Sequence, residues 1–201
     1  MGDKSNVKHN ILAAALALFS AKGYEGTSVD ELVSMAGITK PTLYYYFGSK
    51  DGLFDAVCQE NYVRLNKVVA ENTTYLACPE NYHEDIFKTL TNLASAYFSF
   101  VAENEMFYRM SMTNLCMPLS SSVYAIVQKY HFEQYETISR MFGEMAKSHG
   151  NLIGKDRQLA WSFIGAINAY IGLAWSGVSD IRFNEKVVNE LVQQFMHGIY
   201  A

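Results

Sequence analysis

Proline is scarce in this chain. Pro41, Pro79 and Pro118 are its three prolines in 201 residues, so long helices can run without the ring that breaks them. Strict apolar–polar alternation is scarce too, which argues against half-buried strands. Cysteine is limited to Cys58, Cys78 and Cys116, an odd number placed far apart with no CxxC pair. That excludes a disulfide framework. With no signal peptide ahead of the first helix, a reducing cytoplasm is the expected location. The five histidines (His9, His83, His131, His149, His197) form no i, i+3 or i+4 pair, so no metal signature is present. GxGxxG, phosphate-loop and GxSxG motifs are absent, and no cofactor is expected. Positive charge is not in excess either: 16 Lys and Arg face 20 Asp and Glu, a formal net charge of −4.

What is present is apolar periodicity. Half of the residues are hydrophobic, and they recur at three- and four-residue spacing nearly throughout. An all-α fold follows. One stretch, 158–179, reads QLAWSFIGAINAYIGLAWSGVS with no charged residue, long enough to span a bilayer. It carries Gln158, Ser162, Asn168, Ser176 and three glycines, and it stands alone. A helix buried against a partner explains it better than a membrane span.

The spacing predicts a first helix over 7–21, with Ile11, Leu12, Ala15, Leu16, Leu18 and Phe19 on one stripe and Gly23 as its stop. Ser28 and Glu31 make an S-x-x-E capping box that starts a second helix, with Leu32 and Met35 facing the core. Gly37 turns the chain. Thr39 caps a third helix with Pro41 in its first turn, where a missing N–H costs nothing. Gly48 ends that helix near Tyr46, and Ser49 caps a long fourth one through about Val69. Five more helices are expected over 83–103, 105–115, 121–148, 156–177 and 184–200.

The segment 27–50, TSVDELVSMAGITKPTLYYYFGSK, carries the functional signal. Two short helices joined by a glycine turn make a helix-turn-helix, whose second helix must offer short polar side chains to base edges. Thr39, Lys40 and Thr42 lie at its N-terminus. Lys40 can donate to guanine or to phosphate, Thr42 can meet thymine or phosphate, and Pro41 can pack on a thymine methyl. Tyr44 and Tyr45 can place hydroxyls on phosphates. Three adjacent tyrosines cannot all face inward, whereas Leu43 and Phe47, four apart, read as core. Lys50 stands at the N-terminus of the fourth helix, where dipole and free N–H groups favour a phosphate. Ser28 can do the same at the second helix. The charge is local: residues 1–60 hold five lysines against seven acids, yet 38–50 holds two lysines and no acid. Asp30 would repel phosphate unless it reads a cytosine amino group or pairs with a lysine.

The block 11–54 resembles the tetracycline-repressor (TetR) family. The resemblance is carried by Phe19, Gly23 and Tyr24, by Thr27-Ser28-Val29, Ala36-Gly37 and Thr42-Leu43-Tyr44, and by Phe47, Ser49-Lys50 and Leu53-Phe54. Tyr46 stands where the family commonly has histidine. The resemblance implies a DNA-binding unit over 1–50 and a ligand-binding and dimerisation domain over 51–201. It also implies a small-molecule effector, a homodimer built on a four-helix interface, and double-stranded DNA as the partner.

Between Tyr97 and Phe142 lie ten aromatic residues and five methionines in 46 positions. Such side chains line adaptable apolar pockets, and they also build ordinary helical cores. Phe98, Met106, Met110, Tyr124, Tyr130 and Met141 are the pocket candidates, and the few, balanced charges suggest a lipophilic effector. The uncharged helix around 164–175, with Gly165, Ala169 and Gly172, offers a dimer surface. The last helix offers another with Val187, Val188, Leu191, Phe195 and Ile199. Two rival readings stand beside the ligand-responsive repressor. One is a small-molecule or protein-interaction module with little DNA binding. The other is an enzyme, for which His131 with Glu133 or Cys116 is the best available set, and a weak one.

Overall fold

The computed structural model describes residues 2–81, 83–115, 117–177 and 180–198, with side chains from residue 5 onward. Cys116, Ile199 and the expected helix end at Tyr200 lie outside the described residues. Among those described the protein is all-helical. Nine α-helices follow in order: α1 Gly2–Lys22, α2 Val29–Ala36, α3 Lys40–Phe47, α4 Lys50–Glu71, α5 Ile86–Glu103, α6 Glu105–Asn114, α7 Tyr124–Ala146, α8 Asp156–Ser176 and α9 Glu185–His197. A 3-10 turn, Gly150–Leu152, precedes α8. Two helices start later than the periodicity predicts. Residues before α5 form turns in which the Asn81 carbonyl accepts from Glu84 and Asp85 N–H, and a Pro118–Ser121 turn delays α7.

The chain forms two compact units, each from two segments: 1–64 with 104–130, and 65–103 with 131–201. Helices α4 and α7 contribute residues to both.

In the first unit, α1 packs on α2 and α6, and α2 on α3. Ile11, Ala15, Leu18 and Phe19 form the buried stripe of α1, and Leu32, Leu43, Leu53 and Phe54 are buried in the same unit. Phe19 and Tyr24 both set their rings edge-on to Phe54, at 5.3 and 5.1 Å between centroids. A second aromatic group forms around Tyr62. Its ring stacks on Tyr130 at 5.1 Å and its hydroxyl pairs with Ser111 Oγ at 2.7 Å. Met35 corrects an expectation: it is 56% exposed. Helix α2 has eight residues, and Leu32 alone takes the fully inward position. Phe47 is half-buried rather than core, because α3 ends there.

In the second unit, α5, α8 and α9 pack on one another. Leu90, Leu93, Ala94 and Tyr97 of α5 are fully buried, with Phe163, Ile167 and Ile171 of α8. Phe142, Phe163 and Phe195 form an aromatic cluster with centroids 5.0–6.3 Å apart. Val188 and Leu191, expected on a dimer face, are buried in this core, so α9 spends that side on its own protomer. Val187 and Phe195 stay half-buried. The outward side of α8 leaves Ser162, Gly165, Ala169 and Leu173 exposed. Among the described residues α8 is the one helix long and apolar enough to cross a membrane by length and composition.

Candidate nucleic-acid interface

Helices α2 and α3 are set by local chemistry at each end. Ser28, extended at φ −90°, accepts the Glu31 N–H at 3.2 Å, while Glu31 Oε2 accepts the Ser28 N–H at 2.9 Å. The capping box is therefore complete. Glu31 also pairs with Lys22. The Lys22 hydrogen bond first, then those from Ser28, hold its carboxyl down at about 2. Thr27 is 1% exposed and donates to the Gly23 carbonyl at 2.8 Å, tying the end of α1 to the start of α2.

Gly37 makes the turn at φ 65°, a left-handed conformation that a Cβ would strain. Its N–H bonds Ser34 and that of Ile38 bonds the Val33 carbonyl, closing α2 as a Schellman-type cap. Thr39 caps α3 by accepting the Thr42 N–H at 3.4 Å, and the two threonine hydroxyls lie 2.9 Å apart. Leu43 is the anchor, with no exposure. The rest of α3 is turned outward. Lys40, Pro41, Tyr44 and Tyr45 are exposed, the last two by 45% and 74%. Tyr45 and Tyr46 rings meet edge-on at 5.2 Å. The helix therefore offers a lysine, hydroxyls and phenols on one exposed surface, the donor set that base edges and phosphates require.

Asp30 pairs with a lysine, and the lysine is Lys40: Nζ lies 2.7 Å from Oδ1. The bond to Asp30 is the first cause that raises the Lys40 pKa above its ordinary value. Both side chains are well exposed, so the pair is open to exchange with another anion.

The start of α4 holds Lys50. Ser49 caps it, with Oγ accepting the Gly52 N–H at 3.0 Å. Lys50 Nζ lies 4.0 Å above the Tyr24 ring, a cation–π contact, and the Tyr24 hydroxyl donates to Asp51. Partial burial lowers the Lys50 pKa, against the pull of Glu25. Gly52 is required by crowding. A Cβ there would sit 2.1 Å from the Phe47 carbonyl oxygen, so the α3–α4 joint closes only on glycine.

The structure thus gathers Ser28, Thr39, Lys40, Pro41, Thr42, Tyr44, Tyr45 and Lys50 into one unit. Sequence reasoning did not assign Tyr24 a role as the platform for Lys50, or Gly52 one at the joint. Tyr24 was legible as part of the family signature. Gly52 lies in the first turn of α4, and only the backbone approach reveals its role.

The pocket candidates divide between the units. Met106, Met110, Tyr124 and Tyr130 lie in the first, Phe98 and Met141 in the second. Met106 is 53% exposed and Tyr124 half-buried, whereas Met110, Tyr130, Phe98 and Met141 are buried. Phe98 stacks on Phe183 at 4.5 Å. Of the rival enzymatic set, Cys116 lies outside the described residues. His131 is 6% exposed and Glu133 faces solvent from the same helix. Burial pushes the His131 pKa down to about 4.

Residues 11–57 match the family model for bacterial regulatory proteins of the tetR family. Over 141 residues the chain is 27% identical to IcaR of Staphylococcus aureus, the HTH-type negative transcriptional regulator of the biofilm operon icaADBC, covering 69% of this chain and 70% of that protein. Among solved structures, a Clostridium perfringens protein described as a fatty acid metabolism regulator superposes with a TM-score of 0.75 at 27% identity, over 94% of this chain and 98% of that one. FadR of Bacillus subtilis, in complex with stearoyl-CoA, superposes with a TM-score of 0.73 at 16% identity, over 95% and 98% of the two chains.

Proposed function

Because the chain belongs to the tetR family of bacterial regulatory proteins, we propose that it is a ligand-released repressor, binding a palindromic operator as a homodimer. The observation that carries this reading is the outward face of α3. Its backbone is fixed by the Thr39 cap and Leu43, while Lys40, Thr42, Tyr44 and Tyr45 stay available. Thr39, Lys40, Pro41 and Thr42 read base edges. Ser28, Tyr44, Tyr45 and Lys50 hold phosphates and fix the register.

An isologous dimer places two copies of α3 on successive major-groove faces. The exposed small residues of α8, Gly165 and Ala169, support that helix as the dimer contact, since nothing lies within 4 Å of a Cβ built on Gly165.

The effector is lipophilic. Phe98 and Met141 supply apolar lining in the second unit, and the described neighbours include a fatty acid regulator and a stearoyl-CoA complex. Helix α4, unbroken from Lys50 to Glu71, carries the response from effector to DNA unit. By linkage, DNA weakens effector binding by the factor with which the effector weakens DNA binding.

The test is a titration of operator binding with eighteen-carbon lipids of charged and neutral head group, stearoyl-CoA among them. A fall in operator affinity at saturation supports the switch. Unchanged affinity at saturating, demonstrably bound ligand refutes it.

A further inference from the structure

The second unit buries a carboxamide that its own chain leaves without a partner. Asn66, on α4, is 9% exposed, and neither Nδ2 nor Oδ1 makes a hydrogen bond. On the same helix, Asn72 behaves as helical amides usually do, returning Nδ2 to the Val68 carbonyl at 2.8 Å. A second amide in this unit, Gln134 on α7, is 4% exposed and leaves Nε2 without a partner. Buried polar groups are nearly always paired, because leaving one dry forfeits the bonds water would make. Asn66 is the stronger demand, with donors and acceptor both open.

The make-up of the unit restricts what can answer that demand. Among the described residues, the buried polar or charged groups of this unit are few. The carboxylate of Asp85 is already satisfied by the Tyr75 hydroxyl at 2.6 Å, the Cys78 N–H at 3.2 Å and His149 at 2.7 Å. Ser139 donates to Asp156 at 2.9 Å. His131 is held neutral by burial. Among the described residues, no buried lysine or arginine stands ready to balance an anion. A charged head group would therefore enter a dry interior without a counter-charge, which is costly. An ester or thioester oxygen answers Nδ2 but gives Oδ1 nothing.

We propose that Asn66 is the polar anchor of the effector, pairing through both amide atoms with a neutral group that donates and accepts, a carboxamide or an alcohol, on an otherwise apolar molecule. This rests on the reading that the domain takes a lipophilic effector.

Three eighteen-carbon probes of one chain separate the possibilities: oleamide, methyl oleate and oleate. Each is titrated against the full-length protein and its Asn66→Leu variant, and the urea midpoint of each unliganded protein is measured. The wild type should bind oleamide about tenfold tighter than methyl oleate or oleate. Asn66→Leu should bind the three alike. Its unliganded midpoint should equal or exceed that of wild type, because an unpaired amide has been replaced by an apolar group of similar size. A lower midpoint, or failure to fold, would show that the amide is satisfied within the fold, by an ordered water, and overturns the proposal. So does an oleamide preference that survives the substitution. If the wild type binds none of the three, the lipophilic-effector reading itself fails. If it binds all three equally and the variant does likewise, the anchor alone fails.

Discussion

Replacing Asp30 by Asn should make this protein bind DNA more tightly and less selectively. The carboxylate holds Lys40 Nζ at 2.7 Å, so each protomer meets DNA with its groove lysine already neutralised. Phosphate or guanine must displace Asp30 to claim that lysine. In Asp30→Asn, Lys40 is free to neutralise a phosphate on any duplex. Each additional phosphate contact steepens the dependence of log affinity on log salt by about 0.9, and two protomers give about 1.8. Over a fourfold rise in salt, from 50 to 200 mM, that is about a tenfold greater loss of affinity for the variant than for wild type. Both partners are well exposed, so fold stability should change little. The assay is fluorescence anisotropy of operator and random duplexes across that salt range, with a urea midpoint as the folding check. A gain on both duplexes at low salt, with the steeper slope, is the expected result. Weaker binding confined to the operator would refute the reasoning. In that event Asp30 itself reads a base, as a carboxylate accepting from a cytosine amino group would.

Other outcomes follow from the same geometry. Gly52→Ala places a Cβ against the Phe47 carbonyl oxygen; it should cost about 1–3 kcal/mol in a denaturant titration and weaken operator binding beyond what unfolding explains. Tyr45→Phe removes an exposed hydroxyl, so the midpoint should hold while affinity falls by about the same factor on every duplex. Stability should also fall as the solution is acidified from pH 6.5 towards 4. His131 is held to about 4 in the fold, so the unfolded chain takes up a proton there that the native one refuses. The full loss is about 3 kcal/mol, and His131→Gln should flatten this part of the pH profile of the urea midpoint.

The helix-turn-helix was legible in the sequence because its punctuation is local. Ser28 with Glu31, Gly37, Thr39 with Pro41, and Gly48 each act over three or four residues, and the structure places every one at the helix end expected of it. Apolar periodicity likewise located nine helices among the described residues. It misplaced Met35 because an eight-residue helix has room for one fully inward side chain, and spacing alone could not choose between Leu32 and its neighbour one turn on. It misjudged Val188 and Leu191 because an apolar stripe does not say whether it faces its own protomer or another. Pairing of Asp30 with a lysine is one of the two options the sequence leaves open, and the geometry identifies that lysine as Lys40. The orphan amide of Asn66 had no sequence signal, since only the surrounding atoms reveal that a buried group lacks a partner.

The most direct test of the account is selection of random duplex DNA by the purified full-length protein, followed by sequencing of the bound pool. The account predicts an inverted repeat whose half-sites change when Lys40 or Thr42 is substituted. A pool without enrichment even at low salt, where phosphate contacts are strongest, would contradict it.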